Sequence, residues 1–464
     1  MTTTPGAVTR LEKLAVVALV AALALRWNGN FAAFCTLPRI LEMNDVAGIL
    51  AGYRATPHLL SDGLQWWHGS MMQVGIPAFR PLTSYLYWIQ TWVGLHWGFT
   101  WVAWFGYGML VITCLLSVAL AWRLTGSRLC ALLAAVLAPA ISYFNYQPSY
   151  WLAWYPMHYD IIMSALLMGA LLCFDLWHER AETRYLVWSW VLFVAGCLTK
   201  EHVYIFPVFA LAVVAFRRSN STVARQSALL QAGLMLMVAV ALCYYRSVVI
   251  VDPRTPTLKA VHLIKKPFLY LYFPFYKPVL SGLYWFPGLA LLLFLLGGAL
   301  IRLRRSERAE WLQKPFAAVG IAFVTGAIVC IYLMLTAPSL PEAFWYLFEP
   351  DMQLKAVGEL LAMIFTLYTI HLLWKYRNQE PTLATWSFFV LPYVPVVSYL
   401  GWHYTIMGWF LRCVYWPVVA KLVWIDLGRP FADVLAWTPT DGPRSNRMLA
   451  RFHTWRQERR LSQG

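Results

Sequence analysis

The chain has 464 residues, of which 60% are hydrophobic and only 12% charged, and its mean hydropathy is +0.57. A soluble globular chain carries about 25% charged residues, so half that share at this length excludes a soluble enzyme, a disordered chain and a disulfide scaffold. The formal net charge of +16 does not point to nucleic acid, because the basic residues punctuate apolar runs and do not gather on a polar surface, which is the way charge orients a membrane protein.

Arg10 and Lys13 precede an apolar stretch from Leu14 to Leu25, and Arg26, Trp27 and Asn28 follow where a signal peptide would show small residues. This reads as an uncleaved first helix. Further apolar runs, separated by charged or Pro-rich gaps, predict about twelve helices at roughly 20 residues per span. They centre near residues 20, 110, 135, 168, 192, 209, 238, 292, 325, 365, 391 and 416. Two connections are long, about 30–95 and 250–280, and from Gly428 the chain is polar and Arg-rich. The expectation is an all-α, polytopic membrane protein with one transmembrane domain over 1–427. Its long first loop carries juxtamembrane helices, and a basic cytoplasmic tail spans 428–464. No 20–50-residue repeat marks a solenoid. The 25 Trp, 25 Tyr and 26 Phe suit the two membrane interfaces. The eight cysteines are scattered, with no C-x-x-C pair; they support neither a zinc knuckle nor a disulfide framework and read as small apolar side chains.

Charge sets the expected sides. Arg10 and Lys13, Arg123 and Arg128, Arg180 and Arg184, the Arg217–Arg225 gap, the Arg302–Lys314 gap, Lys375 and Arg377, and the Arg-rich tail all fall on one side of the alternation. The short gaps near 143–156 and 400–407 hold no Lys or Arg. Positive residues stay inside, so both termini are expected in the cytoplasm and both long loops outside, with the tail meeting anionic lipid.

A charge within a bilayer is costly unless paired or wetted, and therefore defaults to a functional hypothesis. Here such residues collect on the expected outer side. The first loop holds Asn44-Asp45, then Asp62, Trp66, Trp67 and His68, and ends at Arg80-Pro81-Leu82. Tyr155-Pro156-Met157-His158-Tyr159-Asp160 stands at the start of one helix, Thr199-Lys200-Glu201-His202 forms a very short gap, and Arg412 lies inside an apolar run ahead of Tyr415-Trp416-Pro417. Each has a bland reading beside it. Asp45 suits a helix N-cap, and Asp62 a cap or turn. Arg80 could snorkel, Lys200 and Glu201 could pair with each other, Trp66 and Trp67 suit a belt, and His58, His68 and His158 suit interface hydrogen bonds. Their concentration on one face weighs against all of these together.

A carboxylate with Arg and Lys at the bilayer edge suits a reaction at a lipid phosphate. A sugar carried on a polyprenyl phosphate leaves an already stabilised anion, so cations that hold the departing phosphate matter more than a general acid. The acceptor hydroxyl or amine needs a carboxylate to take its proton.

These residues, in this order, resemble the GT-C superfamily of polytopic lipid-linked sugar transferases, nearest to bacterial integral-membrane relatives of the protein O-mannosyltransferases. Asn44-Asp45 matches an Asp-containing motif early in the first outer loop, and Arg80-Pro81-Leu82 matches its end. Asp160 after Pro156 and His158 matches a helix-start Asp. Lys200-Glu201 with Pro207 matches an outer turn, and Arg412 with Tyr415-Trp416-Pro417 a late Arg motif. The likeness covers about residues 10–215 and 405–425, and its motifs are specific in order and spacing, not singly.

The resemblance implies a polyprenyl-phosphate (or polyprenyl-diphosphate) sugar donor on the outer face of a bacterial inner membrane, and inversion at the anomeric carbon. The acceptor it leaves open as a glycan, lipid or protein. It implies Asp45 as base and Arg80, Lys200 and Arg412 at the donor phosphate. Asp160, Glu201 and His202 would position the acceptor or brace the cations, with His158 and Tyr415 as lesser candidates. Some relatives use a divalent ion with their acidic loop; Asn44 replaces an acid often found there, which leaves no ligand cluster, so no metal is assigned. Two readings compete: a transporter or flippase of a lipid-linked sugar, and an O-antigen ligase- or polymerase-like enzyme. No internal symmetry supports the first, and the informative loop is early, where the second would place it late.

Overall fold

The computed structural model describes residues 10–43, 45–69, 71–73, 78–141, 151–216, 222–249, 368–377 and 405–426. Among the described residues there is no strand. A lipid-embedded backbone satisfies its own hydrogen bonds inside helices, and the apolar runs do so. α1 (Arg10–Asn28) leads into the short α2 (Leu37–Leu41), α3 (Val46–Ala55) and α4 (Leu59–Asp62), and then α5 (Pro81–Trp97). The bundle continues with α6 (Phe99–Thr125), α7 (Arg128–Leu137), α8 (His158–Arg180), α9 (Thr183–Thr199), α10 (Phe206–Phe216), α11 (Thr222–Val249) and α12 (Thr405–Asp426).

Among the described residues, four helical segments are long and apolar enough to cross a membrane: Arg10–Phe34, Phe99–Thr125, Tyr155–Arg180 and Ala224–Arg246. Arg128–Ala140, Thr183–Thr199 and Glu201–Leu211 are apolar but shorter. The expected centres near 20, 110, 135, 168, 192, 209, 238 and 416 fall within these helices, and residues 368–376, near the one expected at 365, are helical. The helices expected near 292, 325 and 391, the 250–280 loop and the 428–464 tail lie outside the described residues.

α6 is the hub, packed against α1, α5, α7, α8 and α12. Small residues let it approach closely, as helices in lipid do: a Cβ at Gly106 would run into the His158 ring, and Ala103, Ser117 and Ala121 are buried. Large apolar side chains such as Trp101, Ile112, Trp188, Val191, Met237 and Val240 face outward. On a soluble protein that surface would be a liability; toward acyl chains it is the expected coat.

α5 is patterned the same way, inside out. Thr83, Ser84, Tyr87, Gln90 and Thr91 are buried, while Ile89, Leu95 and Trp97 are exposed. Its polar stripe lies over the start of α8 and the end of α9. Thr83 Oγ1 donates to the Thr199 carbonyl (2.7 Å), Tyr87 O–H to the Pro156 carbonyl (3.0 Å), and Gln90 reaches His158 (2.8 Å).

The bundle thus has two distinct ends. At one, Arg123 joins α6 to Asp175 and Glu179 of α8, and Arg128 meets Glu12 at 3.2 Å. There too Lys421 donates to the Thr125 carbonyl (2.8 Å), and Asp426 accepts from Tyr368 and Tyr376. At the other end, α5 and the starts of α3 and α8 gather around the break between α9 and α10.

Candidate functional site

α8 opens on a 3-10 turn, Tyr155–Met157, with Pro156 in its first positions. His158, Tyr159 and Asp160 therefore occupy the first helical turn, where a carboxylate suits the helix dipole. Opposite, α9 stops at Thr199, Lys200 is extended (φ −157, ψ 140), and Glu201 starts the 3-10 turn Glu201–Ile205. The extended residue sends Lys200 and Glu201 to different partners. Lys200 Nζ pairs with Asp160, both fully buried. Glu201 instead takes Arg80 in a two-pronged pair, Nε to Oε2 at 2.8 Å and Nη2 to Oε1 at 2.6 Å. The pairing of Lys200 with its neighbour Glu201 is thereby replaced by two cross-helix pairs. Arg80 is 7% exposed, which does not suit a snorkelling side chain.

Tyr159 links the two pairs. Its ring lies 4.6 Å from Lys200 Nζ and 5.6 Å from the Arg80 guanidinium carbon, within cation–π range, and meets Tyr87 edge-on at 6.0 Å. Burial pushes the Lys200 ammonium down, to about 8, against the pull of Asp160. Asp160 Oδ1 is taken by Lys200, and its Oδ2 makes no hydrogen bond among the described residues. A fifth ionic group joins from α11, where Arg246 stands 3.5 Å from Glu201.

Asp45 stands at the N-cap position of α3 in the left-handed conformation (φ 73, ψ −22), and its side chain makes no capping hydrogen bond. The carboxylate is exposed. A left-handed non-glycine residue is uncommon, Asp and Asn being the usual exceptions. The strain therefore does not serve the cap that would excuse it. Burial pushes the Tyr87 phenol well above its ordinary value, and the charges that reach it are those of Arg80, Asp160 and Asp45, beside Tyr159. Asp45 thus acts on the same Tyr87 phenol as one member of each pair. α3 is held there by a close approach, since a Cβ at Gly52 would run into the Met72 carbonyl, and the Met72 N–H donates to Ser84 of α5 (2.9 Å).

The other candidates fall as follows. His158 is fully buried, with Nδ1 on Gln90 (2.8 Å) and Nε2 on the Leu152 carbonyl (2.9 Å). A carbonyl only accepts, so Nε2 carries the proton and Nδ1 accepts from the Gln90 amide. His202 is buried beside Lys200 and Glu201. Arg412 enters from α12 and is deeper along the bundle. Ser117 touches both Met168 of α8 and the Phe410 carbonyl, so the turn of α12 that carries Arg412 crosses α8 near Met168, eight residues and about 12 Å along that helix from Asp160 at 1.5 Å per residue. Tyr415 is buried a turn further on. Trp66 is buried edge-on to Tyr85 (4.9 Å), not set in a belt, and Asp62, the last residue of α4, accepts the N–H of His58 at the start of that helix (2.8 Å). Among the described residues no three His, Cys, Asp or Glu side chains gather as a metal site.

Sequence reasoning passed over Tyr159, Tyr87 and Arg246. Two are aromatic in a chain that is 16% aromatic, where one more ring carries no signal. Arg246 closes a span, where an arginine reads as an interface anchor.

The chain matches no protein-family model, no curated protein and no solved structure.

Proposed function

We propose that the protein is a GT-C-like membrane glycosyltransferase that moves a sugar from a polyprenyl-phosphate donor to an acceptor on the outer face, with inversion. The observation that carries this reading is the paired cations Arg80 and Lys200, each braced by its own carboxylate around Tyr159, with an exposed Asp45 whose charge reaches Tyr87 as those of Arg80 and Asp160 do. Preorganised cations of this kind favour a reaction in which negative charge develops on a departing group.

In the proposed step an acceptor hydroxyl gives its proton to the Asp45 carboxylate. Its oxygen forms the bond to the anomeric carbon from the face opposite the phosphate. The bond from that carbon to the phosphate oxygen breaks, and the electron pair leaves with polyprenyl phosphate, held by Arg80 and Lys200. Arg412 would lean toward the same phosphate, since helical side chains tilt to the N-terminal end and α12 begins at the site end, where the Trp409 indole donates to the Ala138 carbonyl. Asp160 Oδ2, Glu201 and His202 would face the acceptor side.

Purified protein supplied with a polyprenyl-phosphate sugar should release polyprenyl phosphate and yield an inverted glycoside, and envelope glycans of a deletion strain should lack that sugar by mass spectrometry. Movement of the lipid-linked sugar across liposomes without any glycoside formed would replace this reading with transport. The reading also includes about twelve spans, an inner bacterial membrane and cytoplasmic termini. A cysteine placed at Ser61 should react with an impermeant thiol reagent on intact cells, and one at Ser445 should not. Labelling at Ser445 would invert the orientation.

A further inference from the structure

We propose that Arg246, at the C-terminal end of α11, is a further contact for the anionic headgroup of the donor lipid and is the cation that meets the phosphate first. The inference rests on the transferase reading above and concerns the same site.

Three described cations surround Glu201 and Asp160, and they differ in how firmly they are held. Lys200 has no exposed side-chain surface and is paired with Asp160; Arg80 has 8% and holds both Glu201 oxygens. Arg246 has 26%, and its ion pair is a 3.5 Å approach to Glu201 Oε1, an oxygen that already accepts from Arg80 at 2.6 Å. That separation is beyond ordinary hydrogen-bond distance. An incoming phosphate therefore meets two cations committed to close carboxylate partners and one that is partly exposed and loosely attached.

The position of Arg246 is nevertheless defined. The neighbouring Tyr245 O–H donates to the Trp67 carbonyl (2.7 Å), and its ring stands edge-on to Phe79 at 5.2 Å. Phe79 immediately precedes Arg80, so the same contacts tie the end of α11 to the segment that delivers Arg80. A guanidinium matches two phosphate oxygens at once, and a span-ending arginine can turn from Glu201 to a headgroup at the same depth without moving its backbone. The competing account is that Arg246 only snorkels and complements the dipole of α11.

Tryptophan-fluorescence titration of the full chain in detergent separates the two, with polyprenyl monophosphate, neutral polyprenol and inorganic phosphate as separate probes. Loss of a charged hydrogen-bonding partner should make Arg246→Gln bind polyprenyl monophosphate about ten- to a hundredfold more weakly, with polyprenol binding unchanged. Arg246→Lys, which keeps the charge and loses the fork, should fall between, and it carries the test where the Gln variant does not fold. Wild-type affinity for the phosphate lipid in both variants overturns the proposal, as does an equal loss for polyprenol. Inorganic phosphate binding as tightly as the lipid, with the same dependence on Arg246, overturns the lipid source. A wild-type chain that binds no polyprenyl monophosphate overturns the transferase reading together with this one, whereas a wild-type chain that binds it normally leaves that reading standing whatever Arg246 does.

Discussion

Asp45→Asn should lower sugar transfer by about 10²–10⁴-fold, the span that a positioned general base contributes, while protein level and donor-lipid binding stay near wild type. The substitution is unusually clean at this position. Asn tolerates the left-handed backbone as Asp does, so the φ of 73 is not disturbed. Asn also caps helices about as well as Asp, so a purely capping Asp45 predicts an unchanged enzyme. Only the capacity to take a proton is removed. Initial rates of glycoside formation from a polyprenyl-phosphate sugar, measured beside thermal unfolding of the same preparations, decide the matter. A variant with wild-type rate would remove Asp45 from the chemistry and leave its strained backbone without a role.

The sequence makes some of this geometry legible and hides the rest for identifiable reasons. Asp45, Arg80, Asp160, Lys200 and Glu201 stand out because each is a charge in an apolar setting, a costly placement that is visible one residue at a time. Their pairing is not visible that way. Lys200 and Glu201 are adjacent, which suggests a local pair, yet an extended residue followed by a 3-10 turn directs them to Asp160 and Arg80. Those partners are 40 and 121 positions away in the chain, and only the packing of α5, α8 and α9 brings them in. Likewise the apolar runs locate α1 and α6 to α12 because a lipid-facing helix must be apolar somewhere along its length. α5 is harder to read, because Thr83, Ser84, Tyr87, Gln90 and Thr91 turn inward and its apolar side faces out. An amphipathic pattern shows that a helix has two faces; it does not show which one the bundle keeps.

The buried pair of Lys200 and Asp160 should separate stability from function. Lys200→Met strands a carboxylate with no exposed surface, and breaking a buried pair from one side typically costs about 3–5 kcal/mol. The single variant should therefore unfold at a clearly lower temperature and accumulate poorly. Asp160→Leu should do the same by stranding the ammonium. In the double variant Lys200→Met/Asp160→Leu neither charge remains, and replacing both members of a buried pair by apolar groups of similar volume is often neutral or stabilising. Thermal stability should then return to near the wild-type value. Transfer should not return, because the ammonium that would meet the phosphate is gone, and only contacts that strengthen as charge develops there raise the rate. A double variant that recovers both stability and transfer would make the pair a structural brace alone and leave Arg80, 2.6 Å from Glu201 and 5.6 Å from the Tyr159 ring centroid, as the cation to test next. A double variant that recovers neither would mean that the core around α8 and α9 depends on the pair for more than charge balance. Stability restored with transfer still lost is the result that places the Lys200–Asp160 pair in the chemistry and not only in the fold.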